Sequence, residues 1–276
     1  MVDRRDLNMT GERVVPEDVR TLEEHLGYLR HLFAYEEVKD SLGASDRVLE
    51  IGGGEGYGTR MLAEACQEIT ALDIEPGVVD YANKRHGSDR CRFELYDGSR
   101  IPYDDATYDA VVSFQVIEHI QDDDHFVSEL HRVLKSGGTA YLTTPNRDTR
   151  LKPGQRPWNR FHVREYSQQS LADLMQRHFA WVAVEGISAI EEIMELEARR
   201  VRQGPLLRLA LSLGLRKLVP EKLDPYVARL MGRLRGQQPI TGEQEEIKKR
   251  FTVSDFRVEK EEVAGSLDLY ARATKA

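Results

Sequence analysis

The chain has 276 residues, of which 40% are hydrophobic and 31% are charged, and its formal net charge at pH 7 is −8. This length is enough for one large domain with a buried core and a substantial insertion. The acidic balance argues against nucleic acid as the main partner, since phosphate binding usually needs a basic surface. Only Cys66 and Cys91 are present, without metal-ligand spacing, which argues against a disulfide framework or structural zinc and favours a reducing cytoplasm.

We predict that residues 1–45 form an N-terminal helical extension. The segment begins with polar residues and shows no apolar signal core, and no apolar stretch in the chain reaches membrane-spanning length, so we expect a soluble, cytoplasmic protein without a transmembrane segment. Thr21 followed by Glu24 forms the signature of a capped helix start. The helix that follows has an apolar face, made of Leu22, Leu26, Leu29, Leu32 and Phe33. Such a helix either packs against the main domain or covers a ligand, and the sequence is compatible with both interpretations.

From residue 46 onward, short apolar runs alternate with helical patterns. The predicted strands are 47–51, 68–72, 92–95, 108–114, 139–143, 181–184 and 266–273. The predicted helices are 59–66, 77–85, one from an Asp122 cap to a stop at Gly137 and Gly138, and one after a Ser167 cap. The alternation predicts an α/β protein with a doubly wound, mostly parallel sheet of seven strands, whose ligand site lies at the carboxyl ends of the strands.

The segment 191–250 interrupts this alternation. We predict a core over residues 46–190, a helical insertion over 191–250, and the last strand of the core within 251–276. Residues 191–238 are amphipathic and rich in leucine and arginine. The insertion has three candidate uses: a cap over the acceptor pocket, a homodimer interface, or a surface that lies on an anionic membrane.

A glycine-rich loop follows the first predicted strand, in the segment EIGGGEGYG that begins at Glu50. Glycine lets the backbone take positive φ and approach a ligand closely. The dinucleotide fingerprint G-x-G-x-x-G fails in both frames, because Tyr57 and Thr59 stand where its third glycine is required, and the G-K-[ST] ending of a P-loop is absent. Glu50 with Gly52 and Gly54 instead suits a cationic ligand such as the methionine moiety of S-adenosylmethionine, which carries an ammonium and a sulfonium.

Two further acidic residues follow the next strands. Asp73 ends the second predicted strand, where an acidic side chain can accept hydrogen bonds from both ribose hydroxyls. Asp97 and Gly98 follow the third strand, where the carboxylate can accept from an adenine amino group and the glycine can donate its N–H. Together with the glycine loop, these residues favour a nucleoside-containing cofactor.

These segments resemble the class I S-adenosylmethionine-dependent methyltransferases over residues 47–146. The sequence VLEIGGGEGYGTRMLA is similar to their first motif, ALDIEPGVVDYA to their second-strand motif, and ELYDGSRIPYDDATYDAVVSFQVIEHI to their adenine and fourth-strand motifs. The resemblance implies a Rossmann-like fold that binds S-adenosyl-L-methionine. It also implies cofactor contacts at Glu50, Gly52, Gly54, Asp73, Ile74, Asp97, Gly98, Phe114 and Gln115.

A narrower resemblance lies mostly outside that core. Residues 10–17 (TGERVVPE), residues 24–26 (EHL) and residues 160–167 (RFHVREYS), together with residues 54–58 (GEGYG) of the glycine loop, are similar to methyltransferases associated with polysaccharide and glycolipid biosynthesis. This resemblance implies a sugar hydroxyl as the acceptor.

The chemistry of methyl transfer then singles out residues after the fourth and fifth strands. A sugar hydroxyl is barely acidic, so a general base or a metal that stabilises the alkoxide becomes valuable. Glu118 and His119 stand just beyond the fourth strand, and His119 is the preferred base. His162 is the second candidate, with Glu165 and Tyr166 expected beside it. Either histidine can instead have a structural role and stabilise the loop in which it lies.

Glu118 and His119 are also candidate metal ligands. Quinone-pathway O-methyltransferases have a similar pattern, with an additional glutamate three residues before the Glu, where this chain has Gln115. Mg²⁺ prefers carboxylate oxygens, and the acidic run Asp122, Asp123 and Asp124 offers more of them. The sequence leaves metal dependence open.

The sequence therefore predicts an O-methyltransferase acting on a sugar or glycoside hydroxyl, with a small-molecule or oligosaccharide acceptor. A methyltransferase of a quinone, phenol or other small metabolite is the alternative, and a non-catalytic cofactor-binding regulator is a third reading.

Overall fold

A computed structural model describes residues 21–157, 159, 161–202 and 249–276, together with Pro16 and Val19. Residues 203–248, which form most of the predicted insertion, and all of the TGERVVPE motif except Pro16 lie outside the described residues. The helices are α1 (Leu22–Lys39), α2 (Tyr57–Leu62), α3 (Pro76–His86), α4 (Asp123–Val133), α5 (Arg147–Arg150), α6 (Gln168–Met175) and α7 (Glu191–Arg202). The strands are β1 (Arg47–Ile51), β2 (Glu68–Asp73), β3 (Cys91–Leu95), β4 (Tyr108–Phe114), β5 (Leu134–Pro145), β6 (Trp181–Ala189), β7 (Phe256–Glu259) and β8 (Asp268–Thr274).

The strands form one sheet in the order β3-β2-β1-β4-β5-β8-β6-β7. Neighbours from β3 to β5 pair in parallel, and β8 pairs antiparallel with β5 and with β6. The order reverses between β1 and β4, which places a ligand crevice at the carboxyl ends of these strands. The predicted α/β architecture with a mostly parallel sheet is confirmed.

The sheet has eight strands among the described residues, one more than we predicted. The additional strand, β7, pairs antiparallel with β6 at the edge of the sheet. It is four residues long, so the alternation of Phe256 and Val258 with charged neighbours is too short to distinguish a strand from a loop. The insertion therefore precedes the last two strands rather than the last one.

Apolar residues cover both faces of the sheet. In β1, Val48 packs into a core with α1, α2 and α3, and its neighbour Leu49 packs into a second core with α4 and α6. Both side chains are fully buried, as expected for a central parallel strand whose two faces are covered by helices.

Three predicted helix starts are confirmed by their hydrogen bonds. The Thr21 hydroxyl accepts from the Glu24 N–H while the Glu24 carboxylate accepts from the Thr21 N–H, which completes a capping box. The Asp122 carboxylate and the Ser167 hydroxyl also cap their helices, because each accepts from the N–H of the third residue of α4 or α6.

The predicted stop of α4 at Gly137 and Gly138 is wrong. The helix ends at Val133, and β5 begins directly at Leu134. Gly137, with φ at +79°, lies within β5, where the two glycines exchange backbone hydrogen bonds with Lys275. The glycines therefore serve an irregular strand pairing rather than a helix end. Within the described part of the chain, no helix has both the length and the apolar composition needed to cross a bilayer.

Candidate active site

The glycine loop after β1 turns sharply at the carboxyl edge of the sheet. Gly52 has φ at +83° and donates its N–H to the Leu72 carbonyl at 2.7 Å, and a Cβ at this position would clash with Val116. Gly54 has φ at +55°, and no heavy atom lies within 4 Å of the place that a Cβ would take. The backbone at Gly54 therefore borders open space, where a ligand can lie directly against the peptide groups.

Glu50 lies beneath this loop and is fully buried. Tyr35 of α1 donates its hydroxyl to Glu50 Oε1 at 2.6 Å, and Thr59 of α2 donates to Oε2 at 2.5 Å. Burial raises the pKa of Glu50, whereas the two hydrogen bonds lower it. Each carboxylate oxygen has a second lone pair, so a cofactor ammonium as a further partner of Glu50 stays a prediction.

Asp73 joins the glycine loop to the end of β2. Its Oδ2 accepts from the Gly54 N–H at 3.2 Å, and its backbone carbonyl accepts from the Tyr96 N–H at 3.2 Å. Ile74, the next residue, is 64% exposed and lies where a Cβ on Gly98 would touch its side chain at 3.4 Å. The loops after β1, β2 and β3 thus meet, with an acidic group and an exposed apolar side chain side by side.

Asp97 lies in the same region but holds a turn. Its Oδ1 accepts from both the backbone N–H and the hydroxyl of Ser99, and these hydrogen bonds lower the pKa of the carboxyl. The side chain is exposed. Its contact with adenine stays a prediction.

Phe114 is the last residue of β4, and Gln115 follows it. Phe114 is buried with its ring centroid 4.9 Å from that of Tyr35. Gln115 has φ at +57°, an unusual value for a residue with a side chain, and donates its amide to Thr143 Oγ1 at 3.3 Å and to Asp268 Oδ2 at 3.2 Å. The Gln115 side chain is therefore directed across β5 toward β8.

A buried ion network continues from Asp268. Arg30 of α1 lies with its Nε 2.9 Å from Asp268 Oδ2, and one of its terminal nitrogens is 3.9 Å from Glu197 of α7. Burial raises the pKa of Asp268, and the Arg30 charge counteracts that shift. This network connects the N-terminal extension and the first helix of the insertion to Gln115.

Glu118, His119 and His162 form a cluster beyond the ends of β4 and β5. One ligand atom of each residue lies within 4.8 Å of the others, and the rings of the two histidines meet edge to face with centroids 4.9 Å apart. The two segments are held together by the backbone, because Val163 donates its N–H to the Glu118 carbonyl at 2.8 Å. Glu118 is 1% exposed, and its Oε2 accepts from the Thr144 hydroxyl at 3.0 Å.

Each histidine of the cluster is oriented through Nδ1. His119 Nδ1 lies 3.1 Å from the Phe161 carbonyl oxygen, and His162 Nδ1 lies 2.9 Å from Glu165 Oε1. A carbonyl oxygen only accepts, so His119 carries its proton on Nδ1, and a neutral ring then has a lone pair on Nε2. Arg150 Nε is 3.2 Å from Glu165 Oε2 and balances the charge of that buried carboxylate.

The sequence of this chain is similar to that of known methyltransferases. A family model for the methyltransferase domain matches residues 49–142. A probable S-adenosylmethionine-dependent methyltransferase of Mycolicibacterium smegmatis is 38% identical over 173 residues, which cover 62% of this chain and 64% of the relative. A probable S-adenosylmethionine-dependent methyltransferase of Mycobacterium tuberculosis is 35% identical over 198 residues, 70% of this chain and 69% of the relative.

The chain belongs to the S-adenosylmethionine-dependent methyltransferases. A solved structure supports the fold of this methyltransferase. Phosphoethanolamine N-methyltransferase 2 of Haemonchus contortus, in complex with S-adenosyl-L-methionine, matches with a TM-score of 0.54 at 18% identity, over 89% of this chain and 52% of that one.

The residues at the carboxyl ends of β1 to β3 fit the cofactor of this family. The open space at Gly54 accommodates a ligand against the backbone, Asp73 offers a carboxylate, and Ile74 offers an exposed apolar surface. A ribose and a purine need this combination of an acceptor and an apolar contact.

The donor set of the cluster does not fit Mg²⁺. Mg²⁺ prefers oxygen ligands, whereas Glu118, His119 and His162 supply one carboxylate and two imidazoles. Gln115 does not extend the set, because its amide is directed to Asp268.

The acidic run at the start of α4 has other partners. Asp122 caps the helix, Asp123 accepts from the Tyr166 hydroxyl at 2.7 Å, and Asp124 lies 3.1 Å from His178. Of the two residues expected beside His162, Glu165 is its partner, whereas the Tyr166 hydroxyl is directed to Asp123.

Several residues at the site were not predicted from the sequence. Tyr35, Thr59 and Thr144 donate to the buried glutamates, and Asp268 positions Gln115. The polar pair Thr143 and Thr144, which follows the apolar Tyr141 and Leu142 near the end of β5, is a sequence signal for such a role. Tyr35 and Asp268 reach the site from distant segments, and nothing in their local sequence indicates it.

Proposed function

We propose that this methyltransferase transfers a methyl group to a hydroxyl oxygen, with His119 as the general base. The observation that carries the proposal is the cluster of Glu118, His119 and His162 beyond β4 and β5, on the same edge of the sheet as the glycine loop. S-adenosylmethionine, when bound, supplies the methyl group on an electrophilic sulfonium. The protein then has to hold the acceptor in line, exclude water and remove the proton of the hydroxyl.

His119 is arranged for that last task. Its Nδ1 proton is held by the Phe161 carbonyl, which limits rotation of the ring and orients its Nε2 lone pair. Nε2 accepts the hydroxyl proton as the new oxygen–carbon bond forms. An amine acceptor, once deprotonated, attacks through its own lone pair and needs no such base. The fixed imidazole therefore favours a hydroxyl.

His162, the other histidine of the cluster, is paired with the carboxylate of Glu165. A carboxylate on Nδ1 fixes the tautomer of the ring and stabilises the imidazolium that forms when Nε2 takes a proton. We assign to His162 the role of second base, next to His119 in the same cluster.

For the acceptor we propose a sugar or glycoside hydroxyl. The loop that bears His162 resembles that of methyltransferases associated with polysaccharide biosynthesis, and it presents Phe161 and Val163 partly exposed beside the histidines. An apolar surface next to a base suits the face of a sugar ring. It also suits a phenol or quinol, which is the alternative acceptor, and phenols need less help from a base because they are more acidic.

The start of the insertion supports its use as a cap. Glu197 of α7 lies near Arg30, whose other partner, Asp268, positions Gln115. The insertion thus begins beside the residues that we assign to the cofactor site. Homodimer and membrane contacts concern residues outside the described part of the chain. The buried free thiols of Cys66 and Cys91 support the expected cytoplasmic location.

The test is transfer of tritium from methyl-labelled S-adenosylmethionine to a panel of oligosaccharides, phenols and amines. We expect transfer to hydroxyl acceptors, with a sugar preferred, and a loss of transfer in His119→Ala. Transfer to amines alone would overturn O-methylation, and preference for phenols would replace the sugar. Tight cofactor binding without transfer to any acceptor would indicate a non-catalytic binding protein.

A further inference from the structure

We propose that Glu118, His119 and His162 form a binding site for a divalent transition-metal cation such as Zn²⁺ or Co²⁺. The three side chains offer one carboxylate oxygen and two imidazole nitrogens from two loops that meet at the same edge of the sheet. Imidazole suits Zn²⁺, Co²⁺, Ni²⁺ and Cu²⁺, and two histidines with one carboxylate are a frequent protein ligand set for such ions.

The distances leave little rearrangement to complete the site. The three ligand atoms lie within 4.8 Å of one another. A cation bound at about 2.0–2.2 Å from each donor needs the donors roughly 3–4 Å apart. Small rotations of the three side chains close that difference, and the backbone does not have to move, because the Val163–Glu118 hydrogen bond already holds the two loops together.

All three groups are also oriented from outside the cluster. The Thr144 hydroxyl donates to Glu118 Oε2, the Phe161 carbonyl holds His119 Nδ1, and Glu165 holds His162 Nδ1. Metal-ligating histidines in general donate the second ring N–H to a carbonyl or a carboxylate in this way, which fixes the tautomer and directs Nε2 toward the ion. The same support is built into this cluster on every ligand.

Three protein ligands leave at least one coordination position for another molecule. A site of this kind binds an exchangeable ion with water in the remaining position, rather than a closed structural ion. One carboxylate balances part of the charge of a divalent cation, and Glu165 adds a second negative group behind His162, with Arg150 as its counter-ion.

The ion and the acceptor proton compete for the same lone pairs. This consequence rests on the proposed function, because a cation on the Nε2 atoms of His119 and His162 removes the base that hydroxyl methylation needs. We therefore expect Zn²⁺ to inhibit methyl transfer at concentrations that fill the site, and a chelator to restore it.

Binding is tested on the full chain alone, without cofactor or acceptor. The protein is stripped with a chelator, Co²⁺ is titrated while its visible absorption is recorded, and Zn²⁺ is titrated by calorimetry. We expect one ion per chain. The visible spectrum should be that of Co²⁺ with nitrogen ligands and a low coordination number. Glu118→Gln, His119→Ala and His162→Ala should each weaken binding by at least about tenfold. His125→Ala, which removes an exposed histidine of α4, is the matched control and should bind like the wild type.

Thermal unfolding of each variant separates loss of ligand from loss of fold, and Glu118→Gln preserves the shape of the side chain. No saturable binding by the wild type, or equal binding by a variant lacking both histidines, would overturn the site. Cobalt binding in a protein without methyl transfer would refute the proposed function but leave the metal site intact. Stimulation of methyl transfer by Zn²⁺ would refute the expected competition between the ion and the acceptor proton.

Discussion

The ring of His119 meets the ring of His162 edge to face, with an interplanar angle of 85° and centroids 4.9 Å apart. The two residues follow different strands and are separated in the chain by α4, β5 and α5. Their proximity depends on the backbone hydrogen bond from Val163 to Glu118, which joins the loop after β5 to the short helical turn after β4. The two candidate bases therefore act from one place, and their variants can be compared directly.

His119→Ala should lower kcat by on the order of 10²-fold or more, because general base catalysis typically contributes that much. The dissociation constant of S-adenosylmethionine should stay within about twofold of the wild type, since the histidine lies beyond the cofactor loop. Steady-state kinetics and calorimetry measure the two quantities. His125→Ala should change neither, and near-wild-type turnover of His119→Ala would eliminate His119 as the base.

Glu165→Gln should act on catalysis through His162. The amide oxygen still accepts from Nδ1, but the negative charge that stabilises an imidazolium is lost, and we expect kcat to fall about tenfold with KM little changed. The matched control is Glu185→Gln, which changes another buried glutamate, paired with Arg272 at 2.8 Å within the sheet. Equal effects of the two substitutions on kcat would reduce the role of Glu165 to packing.

Gly54→Ala should weaken cofactor binding more than it weakens the fold. Alanine at positive φ costs about 1–2 kcal/mol, and Gly137→Ala bears the same kind of penalty, since Gly137 also has positive φ and open space around its Cβ position. Both variants should lose similar stability in urea unfolding. Only Gly54→Ala should raise the S-adenosylmethionine dissociation constant, by about tenfold or more, because its methyl group enters the space against the backbone. An unchanged dissociation constant would mean that the cofactor does not bind against this loop.

Asp268→Ala should strongly destabilise the protein. It leaves the Arg30 guanidinium, whose side chain is only 15% exposed, without its 2.9 Å partner, and breaking a buried ion pair typically costs about 3–5 kcal/mol. Arg30→Met in the same chain should recover part of that loss, because the unpaired charge is then removed. Urea unfolding measures both. Asp105→Ala, which breaks the surface ion pair with Arg132, should change the midpoint little, and an equally small effect of Asp268→Ala would contradict the buried network.

His31 should make the protein less stable in mild acid. Burial and the neighbouring Arg30 charge lower the pKa of His31 from its ordinary 6.5 to about 4. Between these values the unfolded chain binds a proton that the folded chain does not, so the free energy of unfolding falls as the pH is lowered through this window. This destabilisation is absent above about pH 6.5. Below about pH 4 it lowers the free energy of unfolding by about 3 kcal/mol.

The comparison variant is His31→Gln, which keeps a polar side chain near the Tyr57 hydroxyl, the 2.5 Å partner of His31 Nδ1. Urea unfolding of both proteins between pH 6.5 and 4.5 should show a flatter dependence on pH in the variant. His125→Gln should retain the slope of the wild type. Identical slopes for His31→Gln and the wild type would mean that His31 is not the titrating group.

Much of the fold was predictable because its elements carry local signals. The strands 47–51 and 108–114 have the predicted bounds, and the side chains of Thr21, Asp122 and Ser167 each accept a backbone N–H hydrogen bond, as expected of helix caps. β7 was missed because four alternating residues carry too little periodic signal. The predicted helix stop at Gly137 is wrong because a glycine with positive φ fits an irregular strand as well as it fits the end of a helix.

The sequence by itself determined the alternation of strands and helices in the parallel part of the sheet, the glycine loop after β1 and the residue types of the candidate site. Those features follow from periodicity, glycine spacing and acidic residues at strand ends, which are properties of neighbouring residues. Only the tertiary structure decided that His119 and His162 share one cluster with Glu118, that Glu50 is held by Tyr35 and Thr59, and that Gln115 is directed to Asp268. These relationships arise because parallel pairing brings the ends of non-adjacent strands to one edge, and no local pattern records which side chains meet there.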